Sequence, residues 1–121
     1  MTKPLIQRVT HMIAGAAPLS AATQAQVRRA FEDTVAVTFA GWEEPVTRRS
    51  AATVPGGDLL RPCAALAGNL EHTAFVHGVA AHALDYDAVH MVRTPHPSVP
   101  IVAALLAARP LRPAAAPRRG S

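Results

Sequence analysis

The sequence is poor in residues that build a large core or hold a protein at a membrane. Only 4% of its 121 residues are aromatic and many of its apolar residues are alanines, so we expect one domain at most, with a thin core. No apolar run reaches the ~18 residues of a membrane-spanning helix, and the first residues lack the order of a secretory signal. The single cysteine, Cys63, excludes an internal disulfide. These features predict a cytoplasmic protein without membrane association.

Lysine is also scarce, and the excess of positive charge lies at one end of the chain. Lys3 is the only lysine, whereas four arginines fall within residues 109–121 without any acidic or aromatic residue. Residues 1–108 carry equal numbers of basic and acidic side chains. The proline-, alanine- and arginine-rich composition predicts a disordered tail over residues 109–121. Nucleic-acid binding is disfavoured, because this tail has no aromatic ring on which a base could stack.

Alternating strand patterns are missing as well, so the predicted fold is all-α. Apolar residues recur at helical spacing, and the predicted helices cover residues 4–14, 20–40, 69–84 and 98–108. Ser20 and Ser98 are expected to cap the second and fourth helices, and Gly41 is expected to end the second. The apolar stripe expected to face the core from the second helix consists of Val27, Ala30, Phe31, Thr34, Val35 and Phe39. A strand over residues 34–40 is the main alternative, because this part is rich in β-branched residues.

Residues 42–62 interrupt the helical pattern. Prolines and glycines occur repeatedly among polar residues, which predicts a long irregular connection between the second and third helices. Loops of this length are unusual in a compact domain and are often functional.

Most of the polar side chains suited to chemistry lie in residues 77–97, which contain four of the six histidines. His82 and Asp85 are three residues apart, which on a helix places them on one face within reach of each other. Asp85 and Asp87 would lie in the turn that follows this helix. His96 precedes a proline, which favours an extended backbone and projects the imidazole from a loop.

The residues alone leave three interpretations of this segment open. In the first, a carboxylate and a histidine flank a bound carboxylic acid, one removing a proton and the other protonating a leaving group. In the second, the pattern H-x-x-D-x-D-x-x-H, which ends at His90, supplies imidazole and carboxylate ligands to Zn, Mn or Fe. In the third, the segment is a capped helix end with solvated acids and surface histidines.

Two separated runs resemble the MmgE/PrpD family of 2-methylcitrate dehydratases and cis-aconitate decarboxylases. The run FVHGVAAHALDYDAVH, followed by HPSVPIVAALLA, is similar to a family motif of histidine, acidic, aromatic and threonine residues that precedes HPS and a helix. The earlier run VRRAFEDTVAVTFAG is similar to the end of the family's second helix. The chain differs from the motif at His77, Ala88 and Val89. The resemblance implies that residues 1–108 form part of an N-terminal helical domain of a lyase that eliminates water or carbon dioxide from a tricarboxylate, with no metal or other cofactor.

The resemblance also implies roles for four residues. Asp85 would assist deprotonation or orientation and His96 would act as acid or base, so both are predicted to be catalytic. His82 and Asp87 are predicted to bind the substrate, a small carboxylate.

The shortage of basic residues near the predicted site indicates that this chain has no lyase activity on its own. A tricarboxylate needs basic partners, and in the family these lie in later parts of the chain. We therefore expect a truncated lyase. The alternative is a non-enzymatic helical interaction module or subunit, and in either case uncovered apolar faces would favour self-association.

Overall fold

The computed structural model describes residues 4–64, 69–91 and 96–108, and every regular element within these ranges is helical. The elements are α1 (Leu5–Ala14), α2 (Ala21–Ala40), α3 (Pro45–Ala52), a 3-10 turn (Gly57–Leu59), α4 (Leu70–His82) and α5 (Ser98–Ala108). The all-α prediction is therefore confirmed. The predicted disordered tail lies outside the described residues. Within those ranges, no helix combines the length and the apolar character needed to cross a bilayer.

Side-chain caps set the starts of α2 and α4, and the sequence predicts the first of them. The Ser20 side chain accepts a hydrogen bond from the Thr23 backbone N–H at 3.1 Å, and α2 ends before Gly41. The side chain of Asn69 likewise accepts a hydrogen bond from the His72 N–H, at the start of α4. Each cap satisfies one of the backbone donors that a helix leaves unpaired at its first turn.

Other ends differ from the prediction by one or two residues. Helix α4 stops at His82 and not at Leu84, and Ser98 is the first residue of α5 and not its cap. The early stop of α4 has consequences for the site, because the backbone has left right-handed helical geometry by Asp85.

The prediction of an irregular connection over residues 42–62 is wrong, since α3 and the 3-10 turn occupy much of it. Pro45 starts α3 at a position where its missing N–H costs nothing. The buried Thr47 hydroxyl donates a hydrogen bond to the Gly41 carbonyl at 2.7 Å and so ties α3 to the end of α2. The prolines that suggested a loop therefore begin and separate short helical elements.

The predicted core face of α2 is also wrong in part. Val27, Phe31 and Phe39 are exposed, whereas Thr34, which was predicted on this face, is buried together with Thr38, which was not. Each of these threonine hydroxyls donates a hydrogen bond to the carbonyl one turn earlier, at 2.8 and 2.7 Å, so both side chains can pack without an unpaired donor. Residues 34–40 are helical, and the alternative of a strand is excluded.

Helix α4 is the central element, and it contacts α2, α3 and α5. The buried cluster around it consists of Trp42, Ala51, Leu60, Val76 and Ala80. Gly41 approaches the α4 backbone so closely that a Cβ atom there would overlap the Ala80 carbonyl oxygen. The close approach places the C-terminal end of α4 firmly against the end of α2.

Helix α1, unlike α4, is not packed against the rest of the fold. It has no buried residue and contacts no other helix in the part of the chain that the structure describes. Its apolar residues Leu5, Ile6, Met12 and Ile13 are all largely exposed.

Candidate functional site

The end of α4 and the start of α5 bring together the four side chains to which the sequence analysis assigned roles. His82 is the last residue of α4, Asp85 and Asp87 lie in the turn that follows, and His96 lies two residues before α5. One nitrogen or oxygen atom from each of the four lies within 4.8 Å of the others. We refer to these residues as the His-Asp cluster.

Asp87 occupies the centre of the His-Asp cluster. Its side chain is fully buried, and its Oδ1 accepts a hydrogen bond from Nδ1 of His82 at 2.9 Å. Its Oδ2 lies 2.8 Å from Nδ1 of His96, but the direction of approach is not that of a hydrogen bond. We therefore treat the contact with His96 as electrostatic. Neither Oδ2 nor that Nδ1 has a hydrogen-bond partner among the described residues.

Asp85 lies at the outer edge of the cluster. Its side chain is 76% exposed, and its Oδ1 is 3.6 Å from Nε2 of His96 and 4.0 Å from Nδ1 of His82. The predicted pairing of His82 with Asp85 is thus only loosely met, because α4 ends at His82. Asp85 itself has φ 54°, a left-handed conformation that aspartate tolerates better than most residues. This turn carries the chain round so that Asp87, and not Asp85, reaches the buried side of His82.

The two imidazoles border an apolar groove of about 760 Å³ between α4 and α5. Their rings meet edge to face with centroids 4.6 Å apart, and the side chain of His96 is 23% exposed while that of His82 is 50% exposed. The rest of the lining includes Phe75, Val79, Val99, Pro100 and Ala103. None of the described residues that line this groove is a lysine or an arginine.

The groove is lined in part by a large apolar side chain of α4. Phe75 is 51% exposed and lines the groove. Periodicity gives no signal that separates a groove residue from a core residue, because both recur on the same apolar face.

Two other histidines of the segment lie apart from the cluster. His77 is buried in the core beside Trp42, and its Nδ1 donates a hydrogen bond to the Thr73 carbonyl at 2.7 Å. Burial lowers the pKa of His77, and the carbonyls of Thr73 and Arg61 act in the opposite direction. His90 is exposed and lies outside the cluster, so the second imidazole comes from His96 and not from the H-x-x-D-x-D-x-x-H pattern.

Comparison with known protein families gives a match over most of the chain. The family model described as the MmgE/PrpD N-terminal domain matches residues 7–114. Neither the curated proteins nor the solved structures contain a significant match.

Proposed function

Because the chain belongs to the MmgE/PrpD family, we propose that the His-Asp cluster is the proton-transfer part of a lyase site for a small carboxylate. The observation that carries this proposal is the buried Asp87 carboxylate between His82 and His96, beside an open groove. A carboxylate that holds an imidazole sets its orientation and stabilises its protonated form, and an oriented imidazole is well suited to exchange protons near neutral pH.

We assign the acid and base roles to His96 and Asp85. Nδ1 of His96 faces Asp87, so Nε2 is the atom that gives or takes a proton. The Asp85 carboxylate lies 3.6 Å from Nε2 and is exposed, so it can reach a substrate at the edge of the groove. The pair supplies one group to remove a proton and another to protonate a leaving group.

His82 and Asp87 support this pair in different ways. His82 lines the groove and is half exposed, which fits contact with the substrate. The Asp87 side chain is fully buried, so we assign it the positioning of both imidazoles and not direct binding. Burial makes this role energetically significant, because charge-assisted contacts strengthen away from water.

The reaction that fits is an elimination next to a carboxylate. In a dehydration, as with 2-methylcitrate, a base takes a proton from carbon and the hydroxyl group leaves as water after it gains a proton. In a decarboxylation, as with cis-aconitate, carbon dioxide leaves and the carbon accepts a proton. The cluster's own groups supply the proton transfers of either reaction.

Charge leads us to propose that this chain alone has no activity. A tricarboxylate carries roughly three negative charges that need cationic partners, whereas the described groove lining holds only imidazoles and apolar groups. The remaining cationic groups would come from a complementing chain or from residues outside the described ranges.

Turnover assays test both parts of this proposal. Purified chain is expected to convert neither 2-methylcitrate nor cis-aconitate, and turnover that His96→Ala removes and His90→Ala preserves would contradict the inactivity. Addition of the C-terminal part of an MmgE/PrpD lyase is expected to give turnover that depends on His96 and not on His90. Equal dependence on both histidines would contradict the assignment of the site.

A cytoplasmic location is a further part of this proposal. A chain with one cysteine forms no internal disulfide, and a thiol of this kind suits a reducing compartment.

A non-enzymatic interaction module is the second candidate function. The observation that favours it is the apolar surface on α1 and along the groove, which other protein surfaces would cover in an assembly. We propose self-association as its simplest form.

A further inference from the structure

We propose that two copies of this chain pair antiparallel along the first half of α2, about a two-fold axis that passes beside Ala30. The partner is a second copy of the chain, and both charge and apolar contact set the pairing. The pairing gives the proposed interaction module a surface, a direction and a register, and it rests on that module and not on the lyase function.

The part of the chain that would form this contact has no packing partner in the fold. Residues 5–33 include no buried residue, whereas Thr34 and Thr38 in the second half of α2 are buried. At a rise of 1.5 Å per residue, the uncovered part of α2 is about 20 Å long. A helical segment of this length is only marginally stable in water by itself, so contact with a protein surface would stabilise it.

One side of this uncovered segment carries a shallow groove of about 370 Å³. Its lining, which we call the α2 face, consists of Leu19, Gln24, Val27, Arg28, Phe31 and Glu32. The three apolar side chains of this set are exposed. The Gln24 side chain donates a hydrogen bond to the Leu19 carbonyl at 2.8 Å and so holds the connection from α1 against the first turn of α2. The α2 face therefore combines apolar side chains with one basic and one acidic side chain.

The charges of the α2 face are complementary to those of a second copy. A two-fold contact uses the same surface of both chains, so each residue meets its counterpart with the direction of the helix reversed. Arg28 and Glu32 lie two residues before and after Ala30, so an antiparallel second α2 centred there brings each Arg28 level with the partner copy's Glu32. Two ion pairs would then flank the apolar contact. A parallel pairing in register would instead bring like charges together, which is unfavourable.

Both charged side chains are available for this contact. Arg28 and Glu32 form no ion pair with any described residue of their own chain. They are one helical turn apart, but the basic residue precedes the acidic one, which is the less favourable order for an ion pair within a helix. An ion pair with a second copy therefore competes with no ion pair inside the described chain.

Charge reversal in the full chain tests the pairing by sedimentation velocity. Arg28→Glu brings only acidic side chains together in its own dimer, and Glu32→Arg brings only basic ones together. Each variant should raise the dissociation constant of the dimer by about tenfold or more, because two attractive contacts become two repulsive ones. An equimolar mixture of the two variants restores opposite charges at both positions of a heterodimer, so it should associate as tightly as the wild-type chain.

Arg29→Glu and Asp33→Arg are matched controls, because both residues are exposed on α2 but outside the α2 face, and they should leave the dissociation constant unchanged. Recovery in the mixture also excludes misfolding as the cause of dissociation. Variants that associate like the wild-type chain, or a mixture no more associated than its components, would overturn the pairing. Dimers that persist in both variants and dissociate in Ile6→Glu would contradict only the contact along α2. A monomeric wild-type chain, with the α2 face bare or covered by its own α1, would contradict both the pairing and self-association.

Discussion

Asp87 has a far more buried environment than its neighbours in sequence. Tyr86 is 74% exposed and Ala88 is also exposed, yet the Asp87 side chain is fully buried against His82 and His96. An ionised carboxylate tolerates this environment only with close polar partners. The two histidines therefore stabilise the buried Asp87 carboxylate, and the orientation of both imidazoles depends on it.

Replacement of Asp87 should cost far more stability than replacement of Asp85. Asp87→Asn removes the charge from a buried site with two imidazole contacts and should lower the free energy of unfolding by about 1–3 kcal/mol. Asp85→Asn, on an exposed side chain, should change it by less than about 0.5 kcal/mol. Urea unfolding of both variants measures the difference, and equal losses would contradict the central position of Asp87.

The buried His77 is expected to make the folding stability of the chain depend on pH. Burial lowers its pKa in the folded chain below the ordinary value of 6.5, so the unfolded chain binds the proton more readily. The part of the free energy of unfolding that depends on neutral His77 is therefore fully present above pH 6.5. It falls as the pH drops towards the pKa of His77 in the folded chain. Unfolding curves measured at decreasing pH should show a loss of folding stability. His77→Gln should make this loss smaller. His11→Gln, at an exposed position on α1, should leave the loss unchanged.

At the scale of elements, the position of α4 decides the geometry of the site. Contacts with α2, α3 and α5 surround this helix, and its last residue carries an imidazole of the cluster. Helix α5 supplies the other wall of the groove, and His96 precedes it. The site therefore depends on how closely these helices approach each other.

Gly41→Ala tests this close approach. The added methyl group would overlap the Ala80 carbonyl oxygen, so the end of α2 would have to move away from α4, at a cost of about 1–3 kcal/mol. Gly78→Ala is the matched control, because its methyl group would lie 3.9 Å from the Ala103 Cβ, an ordinary contact. Thermal unfolding should show a lower melting temperature for Gly41→Ala only. Equal melting temperatures would contradict a tight contact between α2 and α4.

For the whole molecule, the distribution of apolar surface is the main feature. Helix α1 exposes its apolar face, exposed phenylalanines lie on α2, and the groove between α4 and α5 is lined by apolar side chains. Large exposed apolar areas are typical of surfaces that other protein covers.

We predict that copies of the chain associate with each other through α1. The chain should elute above its 12.7 kDa mass in size exclusion with light scattering. Ile6→Glu, on the exposed apolar face, should shift it towards the monomer, whereas the neighbouring Gln7→Glu adds the same charge and should not. Hydrogen exchange distinguishes a compact, protected oligomer from a loosely folded aggregate. A monomeric wild-type chain would contradict the prediction.

The positions of α1, α2, α4 and α5 and the segment that carries the chemistry were predictable from the amino-acid sequence, whereas α3 was not. Apolar spacing, the cap at Ser20 and the stop at Gly41 are local signals, because a helix forms its hydrogen bonds between near neighbours. The grouping of histidines and aspartates in residues 77–97 is likewise visible without any knowledge of packing.

Only the tertiary structure decided which residues became partners and which became buried. Asp87 replaced Asp85 as the nearest partner of His82, and on α2 the unpredicted Thr38 is buried while the predicted Phe31 and Phe39 are exposed. The physical reason is that burial depends on which elements cover a face, and periodicity along one helix carries no information about its neighbours. A turn through a left-handed residue at Asp85 then redirects the chain, and this change of direction sets the geometry of the cluster.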